Sequence, residues 1–297
     1  MKPTFAVEEV KAAFQLRYIW TGRLRISLLE GELIEAIESV KPLLEDDGLR
    51  ILRLGFTNEE FNLLISTGPE VTPVFLAQRV QGRFTYYFRS VGYSGRILGG
   101  GFSVRSVGGT AMERLRSYVR NQAQKSSTLE PSEREFLTRL GVETSIQVEE
   151  GTPSKRGIYW YDLHLVYRFR RPLTKRRALS LVQRSLIRIA EHKGFGLIEL
   201  GLVLDHVHLL MRGRISESPE EISLSIMNNL SHLSRNPGLL RNSYFVGTAG
   251  KFSTNWVKYG AGDLGRTESS QAERECVAAT LRGPQALNPR LFESPEP

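Results

Sequence analysis

The sequence predicts an α+β fold in which one structural unit occurs twice. Segments rich in branched and aromatic residues, which are typical of strands, alternate with segments whose apolar residues recur at helical spacing. In each half of the chain the order of these segments is strand–helix–strand–strand–helix–strand, the ferredoxin-like split βαβ arrangement. We therefore expect two antiparallel sheets, each with helices on one face, packed as a pseudo-two-fold dimer.

The elements of the first unit follow from apolar periodicity and from the residues that interrupt it. Leu33, Ile34 and Ile37 recur at helical spacing, and Gly48 ends that helix. The predicted strands are 13–20, 49–57, 61–66 and 102–107, and the predicted helices are 30–44, 71–89 and 110–124.

The second unit repeats this order from Gly157 onwards. A helix ends at Gly194, and two strands meet at a short turn around Asp205. The predicted strands are 158–168, 195–204, 206–212 and 244–248, and the predicted helices are 174–192 and 219–233.

A shift of 146 positions, the difference between 206 and 60, aligns the two central strand pairs without a gap. Any two β-hairpins resemble each other, but matching glycines and leucines together with the shared element order favour a duplication. The aligned pairs are Gly48 with Gly194, Leu54 with Leu200, Gly55 with Gly201, and Leu63 and Leu64 with Leu209 and Leu210. The predicted divisions are a first unit at 1–124, a linker at 125–156 with a short helix at 133–140, a second unit at 157–259 and a C-terminal extension at 260–297.

Charge and composition limit the classes of function. The net charge of +8 and the pI of about 9.7 favour a polyanionic partner, which is either nucleic acid or an anionic membrane surface. The single Cys276 excludes an intrachain disulfide and a cysteine-based zinc finger, and it fits a reducing compartment. No apolar run is long enough to cross a bilayer and the first residues form no signal core, so we expect a cytoplasmic protein. Serine-nucleophile elbows and P-loops are absent from the sequence.

The strand at 206–212 carries the candidate metal ligands. Successive side chains of a strand point to opposite faces, so His206 and His208 share one face while Val207 and Leu209 point into the core. Two imidazoles on one rigid strand can begin a divalent metal site. The His-x-His pattern alone is not specific, and the remaining histidines, His164, His192 and His232, lack a partner pattern and are predicted to be structural or solvated.

The chain resembles the single-tyrosine HUH transposases, including their REP-associated relatives, over roughly 13–124 and 157–259. The hairpin that ends in Asp205-His206-Val207-His208-Leu209-Leu210-Met211 is similar to the family's metal-binding strand pair. The segments 77–85 and 102–108 are similar to the helix and last strand that follow the family's hairpin. Tyr118 and Gln122, four positions apart, resemble the family's catalytic helix, a tyrosine followed four residues later by a glutamine.

The resemblance implies DNA transposition chemistry, in which single-stranded DNA is cleaved and rejoined. In that family two histidines and a third side chain hold Mg²⁺ or Mn²⁺, and the tyrosine attacks phosphorus to give a 5′-phosphotyrosine and a free 3′ hydroxyl. The partner expected from the family is single-stranded DNA that forms hairpins, and the chain is expected to act as a monomer that behaves as a fused dimer.

Neither unit carries a complete set of these residues. Glu60 and Asn62 occupy the positions of the histidines in the first unit. The second unit offers only Tyr259, with Asp263 four residues later, and the glycines between them disfavour a helix. Because some dimers of the family pair the tyrosine helix of one subunit with the histidines of the other, we expect a composite site: Tyr118 as the nucleophile, with His206, His208 and Gln122 as metal ligands.

Alternatives remain at several of these positions. Tyr118 could simply pack on a sheet, and Gln122 could be an exposed helix residue. Glu60, Asn62 and Asp263 could form a second oxygen-rich metal site or be a decayed copy of the first. Phosphate contacts are expected from a set of arginines near the predicted tyrosine and hairpin helices: Arg79, Arg83, Arg105, Arg116 and Arg120.

Two other functions are alternatives to the transposase interpretation. One is a domesticated, catalytically inactive protein of the same fold that binds single-stranded DNA or RNA. The other is a replication initiator or relaxase with the same metal chemistry, which we favour less because the sequence offers no helicase domain.

Overall fold

The computed structural model describes residues 4–26, 28–56, 60–95, 97–125, 129–144, 146 and 149–251. Within these residues the chain forms two six-stranded sheets and seven α-helices, which confirms the predicted α+β class. Tyr259, Asp263 and the predicted C-terminal extension lie outside the described residues.

The first half of the chain contains five strands and four helices. Pro73 occupies the first turn of its helix after the Thr72 cap, whose hydroxyl accepts the Phe75 N–H, and Gly48 adopts a φ of 76° after α1. The elements are β1 (Lys11–Gln15), β2 (Arg17–Leu24), α1 (Glu30–Asp46), β3 (Leu49–Phe56), β4 (Glu60–Thr67), α2 (Pro73–Ser90), β5 (Leu98–Ser106), α3 (Met112–Arg120) and α4 (Gln122–Lys125).

The second half begins with short elements and then repeats the same order. Ser218 and Glu221 form a capping box at the start of the last helix, and Gly194 adopts a φ of 69° after α6. The elements are α5 (Pro131–Leu140), β6 (Val142–Glu143), β7 (Thr152–Pro153), β8 (Gly157–Trp160), β9 (Asp162–Phe169), α6 (Arg176–Lys193), β10 (Gly196–Leu202), β11 (His206–Arg212), α7 (Pro219–Ser234) and β12 (Leu240–Ala249).

The strand orders are β3-β4-β2-β5-β8-β7 in the first sheet and β1-β12-β9-β11-β10-β6 in the second. The second sheet therefore includes β1 of the first half, which pairs with β12. The first sheet includes β8 and β7 of the second half, of which β8 pairs with β5. Both of these pairs are parallel, so the prediction of purely antiparallel sheets is wrong. The chain crosses from one sheet to the other at Leu16 and again at Tyr161, where the sequence had suggested continuous strands.

Matching hydrogen bonds hold the two crossing points. The hydroxyl of Ser106, at the end of β5, accepts the backbone N–H of Asp162 at 3.0 Å. The hydroxyl of Thr248, near the end of β12, accepts the backbone N–H of Arg17 at 2.9 Å. Each half thus satisfies a backbone donor of the other half, close to the position where its own last strand ends.

One apolar core runs through both halves. It contains Trp20 and Phe61 from the first half and Tyr167 and Leu209 from the second. On this side α1 and α2 cover the first sheet, and α6 and α7 cover the second. None of the helices in the described part of the chain is long and apolar enough to span a membrane.

The opposite face of the second sheet is covered by helices of the first half. Met112, Leu115 and Val119 of α3 pack there against Ile198 and Leu210 in a separate small apolar cluster. The prediction that helices occupy one face of each sheet is therefore wrong for the second sheet. The first half supplies the amphipathic helix that covers it.

Candidate tyrosine and metal site

The two predicted histidine ligands share one face of β11. Val207 and Leu209, which alternate with them, belong to the core and are 0% and 2% exposed. The rings of His206 and His208 lie on the other face with their centroids 4.8 Å apart. The strand thus holds two imidazoles side by side against α3.

Each imidazole has its Nδ1 atom occupied. His206 Nδ1 lies 2.8 Å from Asp205 Oδ1, and His208 Nδ1 lies 2.9 Å from His164 Nε2. The two Nε2 atoms are buried and have no hydrogen-bond partner among the described residues. Metal-binding histidines commonly have one nitrogen held by a neighbour in this way, which fixes the tautomer and leaves the other for the ion.

Burial keeps the inner histidines uncharged. It lowers the pKa of His208 well below its usual value, and the neighbouring His206 and His164 lower it further. Burial also lowers the pKa of His164 to about 4. A neutral imidazole retains the lone pair that a metal ion requires.

Tyr118 of α3 lies against these histidines. Its ring meets the His208 ring edge-on, with 5.5 Å between the centroids and 90° between the planes. Burial raises the pKa of Tyr118 to about 12, and the nearby Gln122 amide partly offsets this rise. Lys125 Nζ lies 4.7 Å from the centroid of the Tyr118 ring and brings positive charge to the site. A phenol of the first half and two imidazoles of the second half are thus adjacent.

A glycine allows α3 to approach the sheet this closely. Gly201 is the strand neighbour of His208, and a Cβ atom placed on it would lie 2.2 Å from the Val119 carbonyl oxygen. No side chain larger than hydrogen fits there without displacing the helix backbone. Gly201 therefore sets the distance between the Tyr118 helix and the histidine strand.

Two predicted DNA-binding arginines form ion pairs that hold the polar side of α3 against the second sheet. Arg116 Nε and Arg120 Nη2 lie 3.2 and 2.6 Å from the same oxygen of Glu199, whose side chain is 1% exposed. Both arginines also contact Glu143 of β6. Their charges are directed at the buried carboxylate of Glu199 and the exposed carboxylate of Glu143, which gives them a role in positioning the helix.

The other three predicted arginines lie elsewhere. Arg79 and Arg83 of α2 form ion pairs with Asp47, at 3.6 and 2.9 Å, on the helical side of the first sheet. Arg105 of β5 lies with its guanidinium carbon 3.3 Å from the centroid of the Trp160 ring. A role in nucleic-acid binding stays a prediction for all five arginines.

The first-half positions that match the histidines have different partners. Glu60 accepts a hydrogen bond from Arg23 Nε at 3.1 Å, and Asn62 Oδ1 accepts one from the Thr21 hydroxyl at 2.6 Å. Asp263, the other member of the suggested second metal site, is outside the described residues. That alternative therefore stays a prediction.

The residues at the tyrosine site include donor atoms that could hold one metal ion. Within the described ranges, no three His, Cys, Asp or Glu side chains are arranged as a metal site. A site built on His206 and His208 would therefore take its third protein ligand from an amide. Gln122 is 5% exposed, and its Nε2 atom has no hydrogen-bond partner in the described part of the chain. The two buried imidazole Nε2 atoms, which have no partners among the described residues, suit a bound cation. An amide Nε2 atom is a hydrogen-bond donor, so Gln122 would bind an ion through its Oε1 atom.

His164 and Lys125 were not identified as site residues from the sequence. His164 is three residues after the crossing point at Tyr161 and lies, with Val166, on the face of the second sheet that carries the histidine pair. The face of the strand on which His164 lies could be predicted from the sequence, but the strand register that brings it beside His208 could not. Lys125 follows the break at Asn121, which the predicted continuous helix at 110–124 did not include.

Comparisons with known proteins do not assign this chain to a family. No family model matches the sequence, and no curated protein matches at a significant level. Among solved structures, a proposed transposase from Deinococcus radiodurans covers 38% of this chain and 91% of its own length, at 13% identity and a TM-score of 0.29. A proposed transcriptional repressor of the glycine cleavage system covers 79% of this chain and 98% of its own, at 11% identity and a TM-score of 0.21. An unknown protein from Galdieria sulphuraria covers 79% of this chain and 97% of its own length, at 9% identity and a TM-score of 0.20. At these TM-scores none of the likenesses carries an argument about function.

Proposed function

We propose that this protein is a metal-dependent endonuclease and strand transferase for single-stranded DNA, built from two duplicated ferredoxin-like HUH-type units. In this proposal one composite site serves the whole chain. Tyr118 of the first half is the nucleophile, and His206 and His208 of the second half are metal ligands together with Gln122.

The observation that carries the proposal is the contact between Tyr118 and His208. The two residues come from different halves and lie 90 positions apart in the sequence, yet their ring centroids are 5.5 Å apart. Beside them two imidazole Nε2 atoms are buried without partners among the described residues. Leaving such groups unpaired costs free energy, on the order of 1–3 kcal/mol each, which a bound ion would offset.

The proposed reaction is a phosphoryl transfer to the tyrosine. The Tyr118 oxygen forms a bond to phosphorus as the bond from phosphorus to the 3′ oxygen breaks. The phenol proton is lost and the leaving 3′ oxygen takes up a proton, so a 5′-phosphotyrosine and a 3′ hydroxyl result. Attack by another 3′ hydroxyl reverses the step and rejoins the strand, with no external energy source because the number of phosphodiester bonds is conserved.

The residues around Tyr118 address the weakness of a phenol as a nucleophile. With a pKa of about 12 the hydroxyl is protonated at neutral pH, and its proton must leave during attack. The ammonium group of Lys125 and the amide of Gln122 both favour the developing phenolate charge. The contact with His208 and the docking of α3 restrict the ring to one orientation, which reduces the entropy lost in reaching the transition state.

The proposed metal is Mg²⁺ or Mn²⁺, held by His206 Nε2, His208 Nε2 and the Gln122 amide. When bound, such an ion would polarise the phosphoryl oxygens and favour ionisation of the tyrosine. Asp205 and His164 orient the two imidazoles from behind.

The test is the formation of a covalent adduct. The full chain is incubated with Mn²⁺ and a 5′-extended DNA hairpin labelled on the fragment 3′ of the cleavage site, and adducts are separated by denaturing electrophoresis. Wild-type protein and Tyr86→Phe should form the adduct, since Tyr86 is an exposed tyrosine on α2. Tyr118→Phe should abolish it, and addition of EDTA should do the same.

Two results would contradict the proposal. If Tyr118→Phe still forms the adduct while Tyr259→Phe does not, the nucleophile has been assigned wrongly. If the wild-type chain forms no adduct on any hairpin with Mn²⁺, Mg²⁺ or Zn²⁺ but binds the strands, the protein is the inactive nucleic-acid-binding relative. The replacement of the histidines by Glu60 and Asn62 in the first half favours that second candidate.

A further inference from the structure

The connection from β9 to α6 carries a concentration of positive charge that the proposed chemistry does not use. Six of the ten residues at 168–177 are basic and none is acidic. We call residues 168–177, which include the end of β9 and the first two residues of α6, the basic segment. Its basic residues are Arg168, Arg170, Arg171, Lys175, Arg176 and Arg177.

Backbone hydrogen bonds hold the basic segment against the turn between β10 and β11. The Phe169 N–H donates to the Asp205 carbonyl oxygen at 2.8 Å. The Leu173 N–H donates to the Leu204 carbonyl oxygen at 2.7 Å. The residue that follows this turn is His206, so the basic segment lies at the end of the second sheet where the proposed metal site begins.

Three of the basic side chains have partners within the protein. Arg170 Nε donates to the Leu240 carbonyl oxygen at 3.1 Å, at the start of β12. The guanidinium carbon of Arg176 lies 5.0 Å from the centroid of the Phe136 ring. Arg168 also interacts within the chain. We therefore assign these three residues to holding the basic segment in place.

The other three basic side chains, Arg171, Lys175 and Arg177, are exposed. None of them has a hydrogen bond or an ion pair to another residue in the part of the chain that the structure describes. Arg171 is three residues beyond Arg168, the strand neighbour of His206, so the Cα atoms of the two arginines are at most about 11 Å apart. Positive charge without a carboxylate partner thus begins close to the proposed metal site.

The corresponding connection of the first half lacks this charge. Arg25 is the one basic residue at 25–29, between β2 and α1. The first turn of α1 then carries Glu30 and Glu32, where α6 begins with two arginines. The basic segment therefore belongs to the half that contains the histidine pair, and the shared fold does not require it.

We propose that Arg171, Lys175 and Arg177 bind phosphates of the single strand of DNA that flank the scissile phosphate. This inference rests on the proposed function for the ligand and for the place of cleavage, but the contacts come from residues that take no part in the chemistry. Guanidinium and ammonium groups without a carboxylate partner are available to phosphate oxygens. A lipid surface would require apolar anchors as well, and none of the exposed large apolar residues of the described chain lies within 168–177.

The test measures the salt dependence of DNA binding in EDTA, where cleavage is blocked. Fluorescein-labelled dT20 is titrated with the full chain at several salt concentrations, and anisotropy gives the slope of log K against log salt. The double variant Arg171→Gln/Lys175→Gln should reduce the magnitude of this slope by about 1.4, since each contact to a single strand contributes roughly 0.7. The matched control is Lys155→Gln/Arg156→Gln, which also removes one lysine and one arginine from exposed positions, between β7 and β8 of the first sheet.

Each outcome decides the inference. A reduced slope for Arg171→Gln/Lys175→Gln alone supports it, and an unchanged unfolding midpoint for that variant excludes a loss of fold. Equal reductions in both double variants would show that only net charge matters, and an unchanged slope for Arg171→Gln/Lys175→Gln would show that the segment does not contact the strand; either result overturns the inference. It is also overturned if the wild type binds vesicles with 30% anionic lipid more tightly than dT20 and the same variant loses that binding.

The adduct assay separates this inference from the proposed function. If wild-type protein forms the tyrosine adduct and Arg171→Gln/Lys175→Gln keeps the wild-type slope, the inference alone fails. If no adduct forms but the slope falls as expected, the proposed chemistry alone fails.

Discussion

His164 contacts the Nδ1 atom of His208, where a residue that orients a metal-binding imidazole would lie. Its Nε2 atom lies 2.9 Å from His208 Nδ1, and the edge of Phe245 closes the other side at 5.9 Å between centroids. The sequence alone predicts a structural or solvated His164, because nothing in it pairs this residue with the other histidines. Strand alternation can be read from residues, but which strands become neighbours, and in which register, is decided by the whole fold.

Replacing His164 by Phe should weaken metal binding. The substitution keeps the ring but removes the acceptor that fixes the His208 tautomer, so Mn²⁺ affinity should fall by roughly 10- to 100-fold. Titration of the full chain with Mn²⁺, followed by electron paramagnetic resonance, measures this. His192→Phe on the exposed surface of α6 is the control and should bind as wild type does. Equal affinities for the two variants would show that His164 only fills space.

At the level of elements, the decisive feature is the docking of α3 on β10. The sequence predicted the helix, the family resemblance singled out its tyrosine, and the glycine match between Gly55 and Gly201 was visible as part of the repeat. What could not be predicted is that the missing side chain at Gly201 makes room for the Val119 carbonyl, because that contact joins residues 82 positions apart. The ion pairs of Arg116 and Arg120 with Glu199 were missed for the same reason.

Two glycine-to-alanine substitutions should have opposite effects on stability. Gly201→Ala places a methyl group against a backbone oxygen and should destabilise the fold by about 1–3 kcal/mol while reducing adduct formation. Gly82→Ala, in the middle of α2 with open space around its Cβ position, should stabilise it by about 0.5–1 kcal/mol. Urea unfolding measures both free energies. If Gly201→Ala is neutral, the helix is not held as closely to the strand as described.

At the level of the whole molecule, the halves are joined by exchange of β1 and β8. Element order, most boundaries and the two-sheet architecture could be predicted from apolar periodicity and glycine positions. The exchange of β1 and β8 could not be predicted, because the sequence at 13–20 and at 158–168 is typical of one continuous strand. Leu16 and Tyr161, the residues at the crossings, are both buried and so interrupt no apolar pattern.

The shared core and the exchanged strands should make unfolding a single transition. Leu63→Ala in the first sheet and Leu165→Ala in the second remove fully buried side chains and should each cost about 2–5 kcal/mol. Differential scanning calorimetry should show one peak in wild type, and either substitution should move that whole peak downward. Two peaks, of which each variant shifts only one, would mean that the halves unfold separately.

The exchanged strand β8 also affects how the chain can mature on the ribosome. The hydrogen-bonding edge of β5 is complete once residue 106 has emerged, but its partner consists of residues 157–160, about 50 positions later. At the translation rates of cells this leaves the edge uncapped for seconds, a period in which it can pair with another nascent chain. The segment 107–156, which separates β5 from β8 in sequence, therefore sets the length of time for which the nascent N-terminal half needs protection.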